Sequence, residues 1–196
     1  MKSVLTILSF IVLATTANAA DIGSGPLTEN SPADYNIRFH PIPLLVGAAS
    51  INMDFKIGSN WTVGPELTYW NISVTNTGNN AGKIDVNYSS AGLRANWFKN
   101  GTYTDGFYVG PFARYGSTKI NTVGSSTVTG DASGTSVGSL FGYGWFWRSF
   151  NMMLGGGFAV ASGQSTLVNA DSAGNRTEIP NKGAGPAGEY SLGWTF

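Results

Sequence analysis

The chain has no cysteine, so disulfides and thiolate metal sites are excluded. It has one histidine, His40, which leaves little material for imidazole catalysis. Charge is scarce: Asp, Glu, Lys and Arg are 11% of the residues, against ~25% in soluble domains. Eleven bases balance eleven acids, so no basic field exists to attract nucleic acid. Beyond the N-terminal segment there is no apolar run of ~20 residues, which excludes a helical membrane protein. Glycine, by contrast, is abundant at 27 residues, and aromatics reach 13%.

The N-terminus reads as a cleaved secretory signal peptide over residues 1–19. Lys2 supplies a short positive start, residues 4–13 are almost wholly apolar, and Ala17-Asn18-Ala19 offers small residues before the cut. This apolar stretch is too short to span a membrane. The alternative is a structural N-terminal helix. Residues 20–34 are rich in Gly, Pro and Ser and show no periodicity, so they read as a flexible periplasmic leader. About 177 residues follow the cleavage site, enough for one domain, and residues 35–196 form it.

That domain alternates with period two. Side chains of a strand point to opposite faces in turn, so alternation marks strands with two unlike sides. Residues 189–196 are the clearest case: Tyr190, Leu192, Trp194 and Phe196 share one face, with Glu189, Ser191, Gly193 and Thr195 on the other. The same pattern marks strands over residues 35–41, 51–57, 61–69, 86–97, 107–115, 137–147 and 152–161. Pro41 and Pro43 cannot donate to a ladder and end the first one. The apolar stretch 44–49 after it is unlike an ordinary exposed loop. Eight strands result, of 7–12 residues, with short connections after Ile57, Phe98 and Trp147. Long ones follow Tyr69, Tyr115 and Ala161: residues 74–83, 121–134 and 162–185 are rich in Gly, Ser, Thr and Asn and read as surface loops.

The faces differ in chemistry. Aromatic and aliphatic residues take one side, and Trp61, Trp97, Phe107 and Trp147 fall near strand ends as a girdle. Arg38, Asp54, Lys56, Glu66, Arg94, Arg114 and Glu189 take the other. Eight strands enclose only enough space for side chains, so inward charges must pair or stay hydrated. A charge network that fixes strand register is expected there; a gated ion path is the alternative. Soluble barrels place apolar residues inside, so aromatics opposite the charges must meet lipid.

Several local motifs carry nothing. Gly155-Gly156-Gly157 lacks the Lys and helix start of a phosphate loop. Asp131 and Asp171 lack the acidic spacing of a calcium loop. The sequons at Asn71, Asn87 and Asn175 are coincidence in a bacterial barrel. His40 has no compact Ser or acid partner in sequence.

The domain resembles the small eight-stranded outer-membrane barrels of OmpA/OmpX type, through its strand count, its alternating short and long connections and its aromatic closing strand. The resemblance implies an all-β, antiparallel, up-and-down transmembrane β-barrel in the bacterial outer membrane. It implies that Tyr190, Leu192, Trp194 and Phe196 form a signal for the barrel-assembly machinery, with outer-membrane lipid and lipopolysaccharide as the other partners. The expected protein is a monomer without enzymatic activity or cofactor, not a porin, and structural or surface-interacting in role, with no ligand legible in its loops. A lipid-modifying barrel enzyme using His40 and a soluble secreted lipocalin-like barrel are the rival readings.

Overall fold

A computed structural model describes residues 33–44, 47–76, 82–123, 128–169 and 176–196. The expected signal peptide, residues 1–19, and residues 20–32 of the expected leader lie outside these. Eight antiparallel strands follow one another around a closed ring: β1 (Tyr35–Phe39), β2 (Ala48–Lys56), β3 (Trp61–Asn76), β4 (Gly82–Phe98), β5 (Gly106–Val123), β6 (Val128–Trp147), β7 (Phe150–Asn169) and β8 (Arg176–Thr195). Each strand pairs with the next, and β8 returns to β1 through Asn36↔Thr195 to Phe39↔Leu192. One helical turn, α1 (Pro41–Leu44), follows β1. It falls where the two prolines remove the donors a strand needs.

The expected count and order of strands hold, but six strands are far longer than the alternation suggested. β6, β7 and β8 have 20 residues each. The segments 74–83, 121–134 and 162–185, expected to be loops, are mostly paired strand. Thr75↔Lys83, Asn121↔Thr129 and Ser165↔Ile179 all lie inside them. Only 77–81, 124–127 and 170–175 fall outside the described residues there. The reason is physical: along β5 to β8 the extension carries mainly polar or small residues on both faces and keeps its backbone ladder without apolar alternation, while on β3 and β4 the alternation continues with its faces exchanged, Ile72, Val74, Ile84 and Val86 now pointing inward.

Smaller corrections concern the turns. β7 opens at Phe150, two residues before the start expected at Met152, so Arg148-Ser149 is a two-residue hairpin loop, with Arg148 at φ 51°. The connection 99–105 is no simple exposed turn. Its Tyr103, at φ 60°, is fully buried and packs with Phe98 and Phe146, closing that end of the ring. Ala33, assigned to the leader, is buried in the same cluster, and the Asp34 N–H donates to the Phe196 carbonyl at 2.8 Å. Residues 48 and 49 of the unexplained apolar connection belong to β2.

Candidate functional site

The ring interior is built from inward positions of all eight strands. Arg38 on β1 sits at its centre. Its Nε donates to Asp54 Oδ2 at 2.7 Å and its Nη2 to Asp54 Oδ1 at 3.1 Å, a two-point grip on the neighbouring strand. Its Nη1 donates to Glu189 Oε1 and, at 3.2 Å, to Ser191 Oγ on β8. Glu189 also accepts from Arg94 Nη2, from Tyr108 Oη at 2.7 Å and from Ser191 Oγ at 3.0 Å. Arg94 Nε donates to Asn96 Oδ1 at 2.8 Å, and Asn96 Nδ2 donates to Asp54 Oδ1 at 3.0 Å, which closes a circuit. Arg38, Asp54, Arg94 and Glu189 are all buried, two cations against two anions.

A second pair lies one layer along the strands. Arg114 Nε is 2.5 Å from Glu66 Oε1, an ion pair by distance whose N–H is not aligned for a hydrogen bond. The Arg114 guanidinium carbon lies 4.0 Å from the centre of the Phe112 ring. Asn52 links this layer to His40: His40 Nε2 lies 3.0 Å from Asn52 Oδ1, and Asn52 Nδ2 donates to Glu66 Oε2 at 3.2 Å. Gly92 allows the pair to form, because a Cβ there would come within 2.7 Å of Arg114 Cγ. Gly138 likewise leaves room for Phe112, whose Cζ would lie 2.6 Å from a Cβ.

Of the seven predicted interior charges, the structure joins Arg38, Asp54, Arg94 and Glu189 in one cluster and Glu66 with Arg114 in the next. Lys56 shares their face but sits half-buried at the end of β2. Arg94 Nη1 is buried without a hydrogen-bond partner. Sequence reasoning missed Asn36, Asn52, Asn96 and Asn151, all fully buried, and Tyr103, whose Oη donates to the Asp54 carbonyl at 2.9 Å. The asparagines were legible as inward by parity; Tyr103 had only its aromatic ring, unusual in a polar turn, to mark it. Burial raises the Tyr103 hydroxyl well above its ordinary range, and the Asp54 charge adds to this.

The outward face is the second feature. Trp61, Trp97, Phe107 and Trp147 are exposed at the short-turn end, and Tyr69 and Tyr115 are exposed eight residues along β3 and β5. Between these levels the outward residues are mainly apolar, among them Leu67, Leu93, Val109, Phe141, Leu154 and Phe158. Beyond them the chemistry switches on every long strand. Tyr69 gives way to Asn71 and Ser73, Ala91 to Ser89, Tyr115 to Ser117, Val137 to Thr135, Val160 to Ser162, and Ala184 to Lys182. These positions are neighbours around the ring: Leu67↔Ala91↔Tyr115 and Ala113↔Val137↔Val160↔Ala184. The belt therefore has one margin. Above it, Asn71 donates to Asn87, Ser73 to Asp85, and Lys83 pairs with Asp85 at 2.8 Å. Those hydrogen bonds, from Lys83 first and Ser73 next, hold the Asp85 carboxyl below its usual range.

The closing strand meets the first strand through its aromatics. Tyr35 stacks on Phe196 at 5.4 Å and Phe39 on Trp194 at 5.8 Å. The Phe196 N–H donates to the Tyr35 carbonyl at 2.9 Å. Among the described residues, no helix is long and apolar enough to cross a membrane and no cluster of His, Asp and Glu could hold a metal.

These features define a class: a closed antiparallel ring of eight strands with a charged interior and an apolar outer belt. Comparison with known protein families, with curated proteins and with solved structures gives no match in any of the three.

Proposed function

We propose that this protein is an integral outer-membrane β-barrel of OmpA/OmpX-like architecture, a non-enzymatic, non-porin structural protein with a surface-interaction role. The observation that carries the reading is the single margin at which the outward face turns from apolar to polar. Nine residues from Trp61 to Tyr69, at about 3.4 Å each and tilted 35–45°, rise about 20–25 Å, close to the ~25 Å apolar band of such barrels. Water would not favour so many exposed aromatics, while lipid favours them on alternate positions. The charged interior argues against a soluble lipocalin-like barrel, which would be apolar there. It also fills the lumen with Arg38, Arg94, Arg114, Tyr108, Phe112 and Phe146, leaving no wide pore.

In this reading the six-stranded extension above the margin projects from the cell, and its hairpins present the contact surface. Lipid and lipopolysaccharide surround the belt, and the barrel-assembly machinery engages the closing strand. The test is cell fractionation followed by heated and unheated gel electrophoresis. The expected result is membrane-bound protein with heat-dependent mobility. Soluble protein with one mobility at all temperatures would overturn the reading.

A further inference from the structure

The polarity of the wall inverts at the belt margin. Below it the inside is charged and the outside apolar; above it the outside is polar, and on β3 and β4 the inside is apolar. The inward positions of the extension carry Trp70, Ile72 and Val74 on β3, Ile84, Val86 and Tyr88 on β4, and Ile120 between Thr118 and Thr122 on β5. Val74, Ile84 and Ile120 are exposed, and Trp70 packs edge-on to Tyr88 at 5.5 Å. The facing wall on β7 and β8 is small: Ala161, Gly183 and Gly185. A Cβ built at Gly183 or Gly185 meets nothing within 4 Å. The result is an apolar vestibule with room in it, standing on the Arg114–Glu66 pair.

The vestibule is also open sideways. β1 stops at Phe39, opposite Leu192, so from there to Arg176 the outer edge of β8 has no strand beside it among the described residues. Of those positions, residues 177–186 and 188 are exposed. The opening starts inside the belt, because the outward residues Tyr190, Gly188, Pro186 and Ala184 lie below Lys182. Pro180 and Pro186 occupy the same parity, and the β7 ladder runs past both at Gln164↔Pro180 and Phe158↔Pro186. Their missing N–H groups therefore lie on the free edge. That edge resists strand addition, so a second copy is a poor occupant for it. The apolar connection Pro41-Ile42, with Ile42 exposed, borders the same opening and suits contact with lipid rather than water.

We propose that the vestibule takes the acyl chain of an outer-leaflet lipid, which enters laterally between β8 and α1 and lies against Trp70, Ile72, Val86 and Tyr88. This rests on the outer-membrane reading above. The fit is chemical: an apolar wall, an empty facing wall of glycine and alanine, and a side opening that begins within the lipid-facing belt.

The test is tryptophan quenching in bilayers of dibrominated phosphatidylcholine. Two proteins each retain one tryptophan, Trp61 on the outer girdle or Trp70 in the vestibule, with the other five changed to Phe; gel mobility confirms folding. Bromine quenches only at close range, so Trp70 should be quenched at least half as strongly as Trp61. Filling the space with Gly183→Leu and Gly185→Leu should reduce Trp70 quenching at least twofold and leave Trp61 unchanged. Val86→Asn, which changes the wall without filling it, gives a second variant should the first not fold, and should reduce Trp70 quenching alone. If Trp61 is quenched and Trp70 is not, or if neither vestibule variant alters Trp70 quenching, the lipid site is wrong. If Trp61 itself is not quenched, the outer-membrane reading fails and the lipid site with it.

Discussion

Replacing Glu189 by Ala should be among the most destabilising single changes available in this chain. The carboxylate accepts from Arg38, Arg94, Tyr108 and Ser191, and every one of these is buried or nearly so. Removing it leaves two guanidiniums inside the ring with Asp54 as the remaining buried anion of that cluster. Breaking a buried ion pair from one side costs about 3–5 kcal/mol, because the partner stays buried and uncompensated. That is a large share of a net stability on the order of 5–15 kcal/mol. Glu189→Gln keeps acceptor capacity and shape but loses the charge, so it should cost less. The double change Arg94→Met with Glu189→Gln restores charge balance, because the two-point Arg38–Asp54 pair survives intact. Its cost should fall short of the sum of the single changes by about 0.5–3 kcal/mol, the range for residues in direct contact. Urea unfolding in lipid vesicles, followed by tryptophan fluorescence, measures the parent, Glu189→Ala, Glu189→Gln, Arg94→Met and the double variant. A Glu189→Ala loss below about 0.5 kcal/mol, the range of ordinary surface changes, would refute the reasoning. Strict additivity in the cycle would do the same.

Further outcomes follow from the same geometry. Leu154→Arg, in the middle of the belt, should cost about 2–4 kcal/mol in lipid, whereas Ser133→Arg, beyond the margin, should cost almost nothing; the same unfolding assay compares them. Tyr103→Phe should cost about 1 kcal/mol through its lost hydrogen bond to the Asp54 carbonyl, and Tyr103→Ala about 3–5 kcal/mol through the cavity left against Phe98 and Phe146. Replacing residues 118–132 by an Asn-Gly turn joining Ser117 to Ser133 should leave the heat-modifiable fold intact, because both charged layers lie below Tyr115. A loss of the fold in gel assays would show that the extension supports the ring.

What could be read from the sequence was set by where water is excluded from one face. Trp61, Val63, Pro65, Leu67 and Tyr69 alternate with Thr62, Gly64, Glu66 and Thr68 because one face is apolar and the other lines the interior. The strand is therefore visible, and so is the inward aim of Arg94 and Arg114. At Ser117–Asn121 the outward face is polar, the contrast is lost, and nothing marks the strand except a pairing partner far along the chain. The partners within the site were illegible for a related reason. Arg38 and Glu189 are 151 positions apart, and only ring closure brings β1 beside β8. Parity named the inward residues but not who meets whom across the lumen. One signal was present and not used: Pro180 and Pro186 share a parity, which marks a strand with a free edge.

The central claim is that the ring crosses a membrane, with the short turns on one side and the extension on the other. The chain has no native cysteine, so single cysteines report position cleanly. Ser133→Cys on the extension, Ser59→Cys in the turn between β2 and β3, and Phe158→Cys on the belt would each be exposed to a bulky, membrane-impermeant maleimide on intact cells. The account predicts labelling of Ser133→Cys alone, with Ser59→Cys labelled only after the outer membrane is permeabilised and Phe158→Cys labelled only after denaturation. Equal labelling of Ser59→Cys and Ser133→Cys in intact cells, or labelling of neither until permeabilisation, would contradict it.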